Sequence, residues 1–108
     1  MVYALANDDG SLFGFPNVAA AVAHCEGVDV ADGVWSFFAE SGSPLVPKFS
    51  RPVARGRFSV DSGSYALAPA DEGPWLHQRL TDITSIQAAG VGNVSELEQR
   101  LKLFRPEG

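Results

Sequence analysis

Positive charge is missing from the first part of this chain: no Lys or Arg precedes Lys48. Six carboxylates stand in that stretch, Asp8, Asp9, Glu26, Asp29, Asp32 and Glu40. Cysteine is nearly absent as well. Cys25 is the only one, which excludes an intrachain disulfide and gives no sign of an oxidising compartment. Long apolar runs are lacking, and the longest, Val18 to Ala23, is far below the roughly 20 residues a membrane helix needs. The N-terminal segment Met1 to Asp9 has no basic region, and its apolar run is too short for a signal peptide. These absences read as a soluble cytoplasmic protein with no membrane association.

Catalytic and metal-binding patterns are equally sparse. With two histidines and one cysteine there is no CxxC, HxxxH or HExxH spacing, so no metal site is expected. Asp29-Val30-Ala31-Asp32-Gly33 fails as a calcium loop at Ala31, and no glutamate follows at the required distance. Asp29 and Asp32 read instead as turn initiators that bond their own backbone. Gly90-Val91-Gly92 has neither a third glycine at the dinucleotide spacing nor a following GK[ST], so no nucleotide cofactor is implied. A thiolate nucleophile needs an imidazole within reach. His24 is adjacent to Cys25 and points elsewhere on a helix, which leaves His77 as the partner in any enzyme or small-molecule site near Cys25 and His77. The plainer reading of Cys25 is a small core residue near a helix end. No residue is assigned a catalytic role.

What the chain does contain suits one domain over residues 1–108, large enough for a core and too small for two. Apolar residues make up 45% and charged residues 19%, ordinary for a globular chain, and the formal charge is −5. Asp9-Gly10 between the apolar runs 2–6 and 12–15 is a strong hairpin signal. Pro16 and Asn17 then start a helix over Val18–Cys25, with Gly27 as its stop and Val18, Val22, Ala19 and Ala23 on its packing face. Val34–Ala39 reads as a central strand because both of its faces carry aromatics. Leu45–Phe49 returns as an edge strand, since Pro47 cannot donate to a ladder. Arg57–Val60 and Tyr65–Ala68 suggest a further hairpin.

Leu76, Leu80 and Ile83 have helical spacing within Trp75–Ile83, and Thr81–Ile86 is ambiguous between helix and strand. Ser95-Glu96-Leu97-Glu98 matches a capping box that opens a helix over 95–104, with Leu97, Leu101 and Phe104 on one face. Glu96 with Arg100 and Glu98 with Lys102 are spaced for intrahelical pairs. The expected class is therefore α+β: a mainly antiparallel sheet built from hairpins, one helix after the first hairpin and a helical C-terminal segment.

Function must then rest on charge. Lys48, Arg51, Arg55 and Arg57 fall within ten positions free of acid, interleaved with Phe49 and Phe58 as in single-strand binders. Four cations on an acidic domain are a modest footprint, so nucleic acid is disfavoured, and the simpler expectation is that this loop neutralises part of the acidic half. Acids gathered at one end of a sheet would instead speed association with a basic protein. The candidate binding residues are Asp8, Asp9, Asp29, Asp32, Glu40 and Trp35, with Phe13 and Trp75 as further aromatic anchors. Small acidic domains lacking catalytic groups often act as inhibitors, bacterial immunity proteins that cover a toxin's basic cleft among them. A protein-interaction domain of that kind is the leading expectation. A symmetric homodimer through an edge strand or surface aromatics is also compatible with the sequence.

Overall fold

A strand of five consecutive apolar residues has no polar face to offer water, so it belongs in the middle of a sheet covered on both sides. Val2–Ala6 forms such a strand, β1, and every one of its residues is buried. The computed structural model describes residues 1–56, 60–61 and 63–104. In it β1 pairs antiparallel with β2 (Ser11–Phe15) on one side and with β3 (Trp35–Ala39) on the other. The turn between β1 and β2 closes at Gly10, whose φ of 78° lies in the left-handed region that glycine tolerates. Gly10 N–H donates to the Ala6 carbonyl at 2.9 Å, and its own carbonyl accepts from Thr84 N–H at 2.8 Å.

Outward from this centre come β4 (Pro44–Arg51), β7 (Ser64–Pro69) and β8 (Ser85–Gln87), giving the order β7-β4-β3-β1-β2-β8. All pairings are antiparallel except β2 with β8. A small separate ribbon joins β5 (Ala54–Arg55) to β6 (Val60–Asp61). Helices α1 (Val18–His24) and α2 (Gly27–Ala31) cover one face of the sheet. The other face is covered by 3₁₀ turns at Leu76–Gln78 and Leu80–Asp82 and by α3 (Val94–Lys102). The protein is α+β, with a helix after the first hairpin and a helix near the C-terminus.

Alternation along β1 divides the core in two. Tyr3 and Leu5 point to a cluster with Leu12, Phe38, Leu76, Val91, Leu97 and Leu101. Ala4 points the other way, to Cys25, Val30 and Phe37.

Several expectations are corrected by tertiary context. Asn17 caps α1 as read, its side chain accepting from Ala20 N–H at 2.9 Å. The buried face of α1, however, is Ala21 together with the cap residue Cys25, while Val18, Ala19 and Ala23 are exposed. Gly27 does not stop a helix in the left-handed region. It opens α2 and is buried. Asp29 accordingly lies inside α2 and Asp32 at its C-cap, so neither initiates a turn. β4 is no edge strand despite Pro47, for a geometric reason. Pro44 points its carbonyl at Ala70 beside β7, so by alternation the missing N–H of Pro47 faces β3, where pairing has already ended at Phe37↔Leu45.

Tyr65–Ala68 pairs with β4, in the register Val46↔Ala68 and Phe49↔Tyr65. The expected hairpin partner Arg57–Val60 lies largely outside the described residues, and Val60 pairs with Arg55. Phe49 and Tyr65 meet at a tilt, 5.3 Å apart, over the same core as Phe37, a non-local gain that outweighs the shorter hairpin. Trp75–Ile83 is two 3₁₀ turns, because Leu76 N–H donates to Gly42 at 2.8 Å and Gln78 Oε1 accepts from Trp75 N–H. The ambiguous segment Thr81–Ile86 divides: Thr81 and Asp82 finish the second 3₁₀ turn, and Ser85 and Ile86 enter strand β8. The last helix is capped by Asn93, whose side chain accepts from Glu96 N–H at 2.8 Å, and so starts two residues before the expected Ser95 cap position would place it. Glu96 turns to Gly92 N–H, leaving only the Glu98–Lys102 pair, at 3.4 Å, of the two expected. Phe104 lies beyond the helix and is exposed.

Leu101 is fully buried and plugs α3 onto the sheet. Leu101→Ala should lower unfolding stability by about 2–5 kcal/mol, read as an earlier urea midpoint with little change in slope. An effect under about 1 kcal/mol would mean that α3 does not close this core.

Candidate functional site

Two alanines on β1 decide what stands around them. Ala4 faces Phe13 across the β1–β2 pair, and Ala6 faces Trp35 across the β1–β3 pair. Small side chains on the middle strand leave room for large rings on both neighbours, and the rings meet above β1 at 5.7 Å, edge to face. His24, the last residue of α1, completes the group. Its ring lies 5.0 Å from Phe13, 5.3 Å from Phe15 and 5.9 Å from Trp35. His24 is exposed and the three aromatics are half-buried, so the cluster is partly open to solvent.

Acid surrounds this cluster. The β1–β2 turn carries Asp8 and Asp9, and α2 carries Asp29. With Phe13, His24 and Trp35 they line a shallow depression of about 320 Å³. Asp9 Oδ1 accepts from Ser11 N–H at 2.8 Å, and that backbone bond holds its carboxyl below the usual carboxylate range. On the far side of the same turn is a second depression of about 350 Å³, with Asp8, Asp9, Arg79, Asp82 and Thr84. There Arg79 is balanced by Asp82 at 3.0 Å.

Of the candidate residues, Asp8, Asp9, Asp29 and Trp35 therefore meet. Asp32 is engaged by Arg55 at 2.7 Å. Glu40 lies at the opposite end of β3, 3.8 Å from the Met1 amino group. Trp75 is also elsewhere, its ring 5.9 Å from His77. The basic run is divided: Arg55 folds back onto Asp32, Arg51 pairs with Asp61 at 3.0 Å, Lys48 is exposed, and Arg57 is outside the described residues. Among the described residues no cation lies within salt-bridge distance of Asp8, Asp9 or Asp29. Among the described residues, the self-neutralisation expected of the loop reaches Asp32 alone of the six acids before Lys48.

His24 was legible only as a neighbour of Cys25. The clue to its place is Phe13-x-Phe15, two rings on one strand face immediately before a helix that must cross that face.

The Cys25–His77 arrangement is not formed. Cys25 is fully buried under α1, while His77 sits on a 3₁₀ turn against the opposite face. Burial, and then the charge of Asp29, push the Cys25 thiol up to about 12, where a thiolate is scarce at neutral pH. Tyr65 Oη donates to the Cys25 carbonyl at 2.6 Å and is itself pushed up to about 12 by burial. Among the described residues no three His, Cys, Asp or Glu side chains gather as a metal would require. Nor is any helix of the described residues long and apolar enough to cross a membrane. No family model, no curated protein and no solved structure matches this chain.

Cys25 gives a direct check of the buried arrangement. A thiol reagent should fail to label the native protein and should modify Cys25 only as fast as the chain unfolds. Because the folded thiol titrates above its unfolded value, the stability it contributes is complete below about 9 and is lost as pH rises from there toward about 12. Cys25→Ala should flatten that alkaline loss, less the part due to Tyr65. Rapid labelling of native protein at neutral pH would show an open site.

Proposed function

We propose that this chain is a small acidic protein-interaction domain, of the inhibitor or immunity type, that binds a basic partner through Asp8, Asp9 and Asp29 around Trp35, Phe13 and His24. The observation that carries this reading is the conjunction of half-open aromatic rings with carboxylates that form no salt bridge among the described residues. An Arg or Lys side chain of the partner could lie over the Trp35 ring while its charge met a carboxylate, combining a cation–π contact with a charge-assisted hydrogen bond. Aromatics of this kind supply the affinity of hot spots, and acids at the rim supply encounter rate and orientation.

The base of the surface is stiff, as a binding surface should be. Asp8 and Asp9 ride a turn anchored at Gly10 to both β1 and the segment entering β8, so little ordering entropy is lost on binding. The same charges repel phosphate backbones, which argues against nucleic acid as the ligand.

The test is affinity capture from the native host with the wild-type domain and with an Asp8→Asn/Asp9→Asn/Asp29→Asn variant. Proteins lost with the variant should be basic, and their binding should weaken as salt rises. Purified, the partner should lose affinity by at least about tenfold with the triple variant and by a similar factor with Trp35→Ala. Identical capture by both forms, or capture of acidic proteins alone, would overturn the assignment.

A further inference from the structure

A second recess lies where the sheet splits. Pairing between β3 and β4 stops at Phe37↔Leu45. The next inward-facing position on β3, Trp35, would stand opposite Pro47, which has no N–H to offer. The strands part there around a cleft of about 260 Å³. Trp35, Leu45, Val46, Pro47 and Pro74 give it apolar walls, Glu72 lies at its margin, and Arg79 is the cation on it.

Arg79 is held in place by two side chains, one of them backed by a further chain of hydrogen bonds. Its Nε donates to Asp82 Oδ2 at 3.0 Å and its Nη1 donates to Ser36 Oγ at 3.0 Å. Ser36 Oγ in turn donates to Asn7 Oδ1 at 3.0 Å, and Asn7 Nδ2 donates to the Gly33 carbonyl at 2.9 Å. The side chain is only 20% exposed, yet Nη2 has no hydrogen-bond partner among the described residues. A fixed guanidinium with a free end, set beside an apolar wall, is arranged for an anionic acceptor carried on an apolar body.

We propose that the cleft between β3 and β4 binds a small apolar monocarboxylate, its carboxylate on Arg79 and its body against Val46 and Pro47. Size follows from the volume, which falls below the roughly 300–1,000 Å³ of drug-sized ligand sites. A single negative charge follows from the surroundings. Asp82 already occupies one edge of Arg79, Glu72 stands at the margin, and the whole chain carries −5, so a phosphate or a dicarboxylate meets repulsion that a monocarboxylate meets only weakly. This site borders the surface proposed above, sharing Trp35 with it and placing Arg79 near Asp8 and Asp9, but its ligand and its test are separate.

Phenylacetate and its neutral isostere phenylacetamide are suitable probes, followed by amide NMR titration of the intact protein. Phenylacetate should cause saturable shifts at Val46 and Ala70, and phenylacetamide should bind at least about tenfold more weakly. Arg79→Gln should abolish the preference for the acid. Because Arg79 also ties together Ser36 and Asp82, a thermal melt must accompany that variant. Val46→Phe, which fills the cleft and leaves residue 79 unsubstituted, should remove binding of both probes whatever Arg79→Gln does to the fold. The proposal is overturned by absence of saturation at roughly 10 mM, by equal binding of acid and amide, by a folded Arg79→Gln that keeps the preference, or by unchanged binding to Val46→Phe.

Discussion

Burial of β1 on both faces is the constraint from which the rest of the molecule follows. A strand with no exposed side must be paired along both edges and covered twice, and this fixes the two helical layers before any functional residue is considered. Its alternating sizes then shape the two sides differently. Tyr3 and Leu5 fill a closed core against α3, whereas Ala4 and Ala6 are too small to fill the opposite side and leave it to Phe13 and Trp35. Those rings cannot all be covered by a helix as short as α1, so part of the aromatic group stays at the surface. The candidate surface is thus a by-product of how the central strand is packed.

The charge segregation along the chain becomes a spatial one, with an unequal outcome. Exposed pairs such as Arg55–Asp32 and Arg51–Asp61 contribute about 0–1 kcal/mol each, too little to be the reason the fold exists. Their effect is on the field. Asp32 is masked by Arg55 and Glu40 is placed at the far end of β3, while among the described residues Asp8, Asp9 and Asp29, on one turn and one short helix, have no salt-bridge cation. Three of the six acids of the first half, Asp8, Asp9 and Asp29, line one depression.

What the sequence could reveal follows the range of each interaction. The Asp9-Gly10 hairpin and the Asn17-capped helix each depend on residues within a few positions of one another, and they appear where expected. The C-terminal helix was recognisable from Leu97 and Leu101, though its cap residue was not, because Asn93 and Ser95 both can cap and only packing chooses between them. Non-local choices were hidden. Pairing of β7 with β4 depends on Phe49 meeting Tyr65 above Phe37, and the parallel addition of β8 depends on the Gly10–Thr84 contact. The candidate site was half legible for the same reason: Asp8, Asp9, Asp29 and Trp35 were identifiable as types, but Glu40 could be set apart only by knowing which end of β3 it occupies.

Pro47 ties these threads together, because its missing N–H stands where the β3–β4 ladder ends and the cleft opens. Had β3 and β4 continued to pair in register past Phe37↔Leu45, Trp35 would face Pro47 and Val34 would face Lys48. Val34 borders the depression that holds Asp8, Asp9 and Asp29. A continued ladder would therefore carry the first cation of the chain to the edge of the acidic surface and close the recess beside Arg79. Instead β4 leaves with β7 as a ribbon, and the molecule extends to 50 × 26 × 22 Å. Lys48 travels with that ribbon and stays exposed, so the proline that looked from the sequence like a mark of an edge strand instead marks where β4 parts from β3.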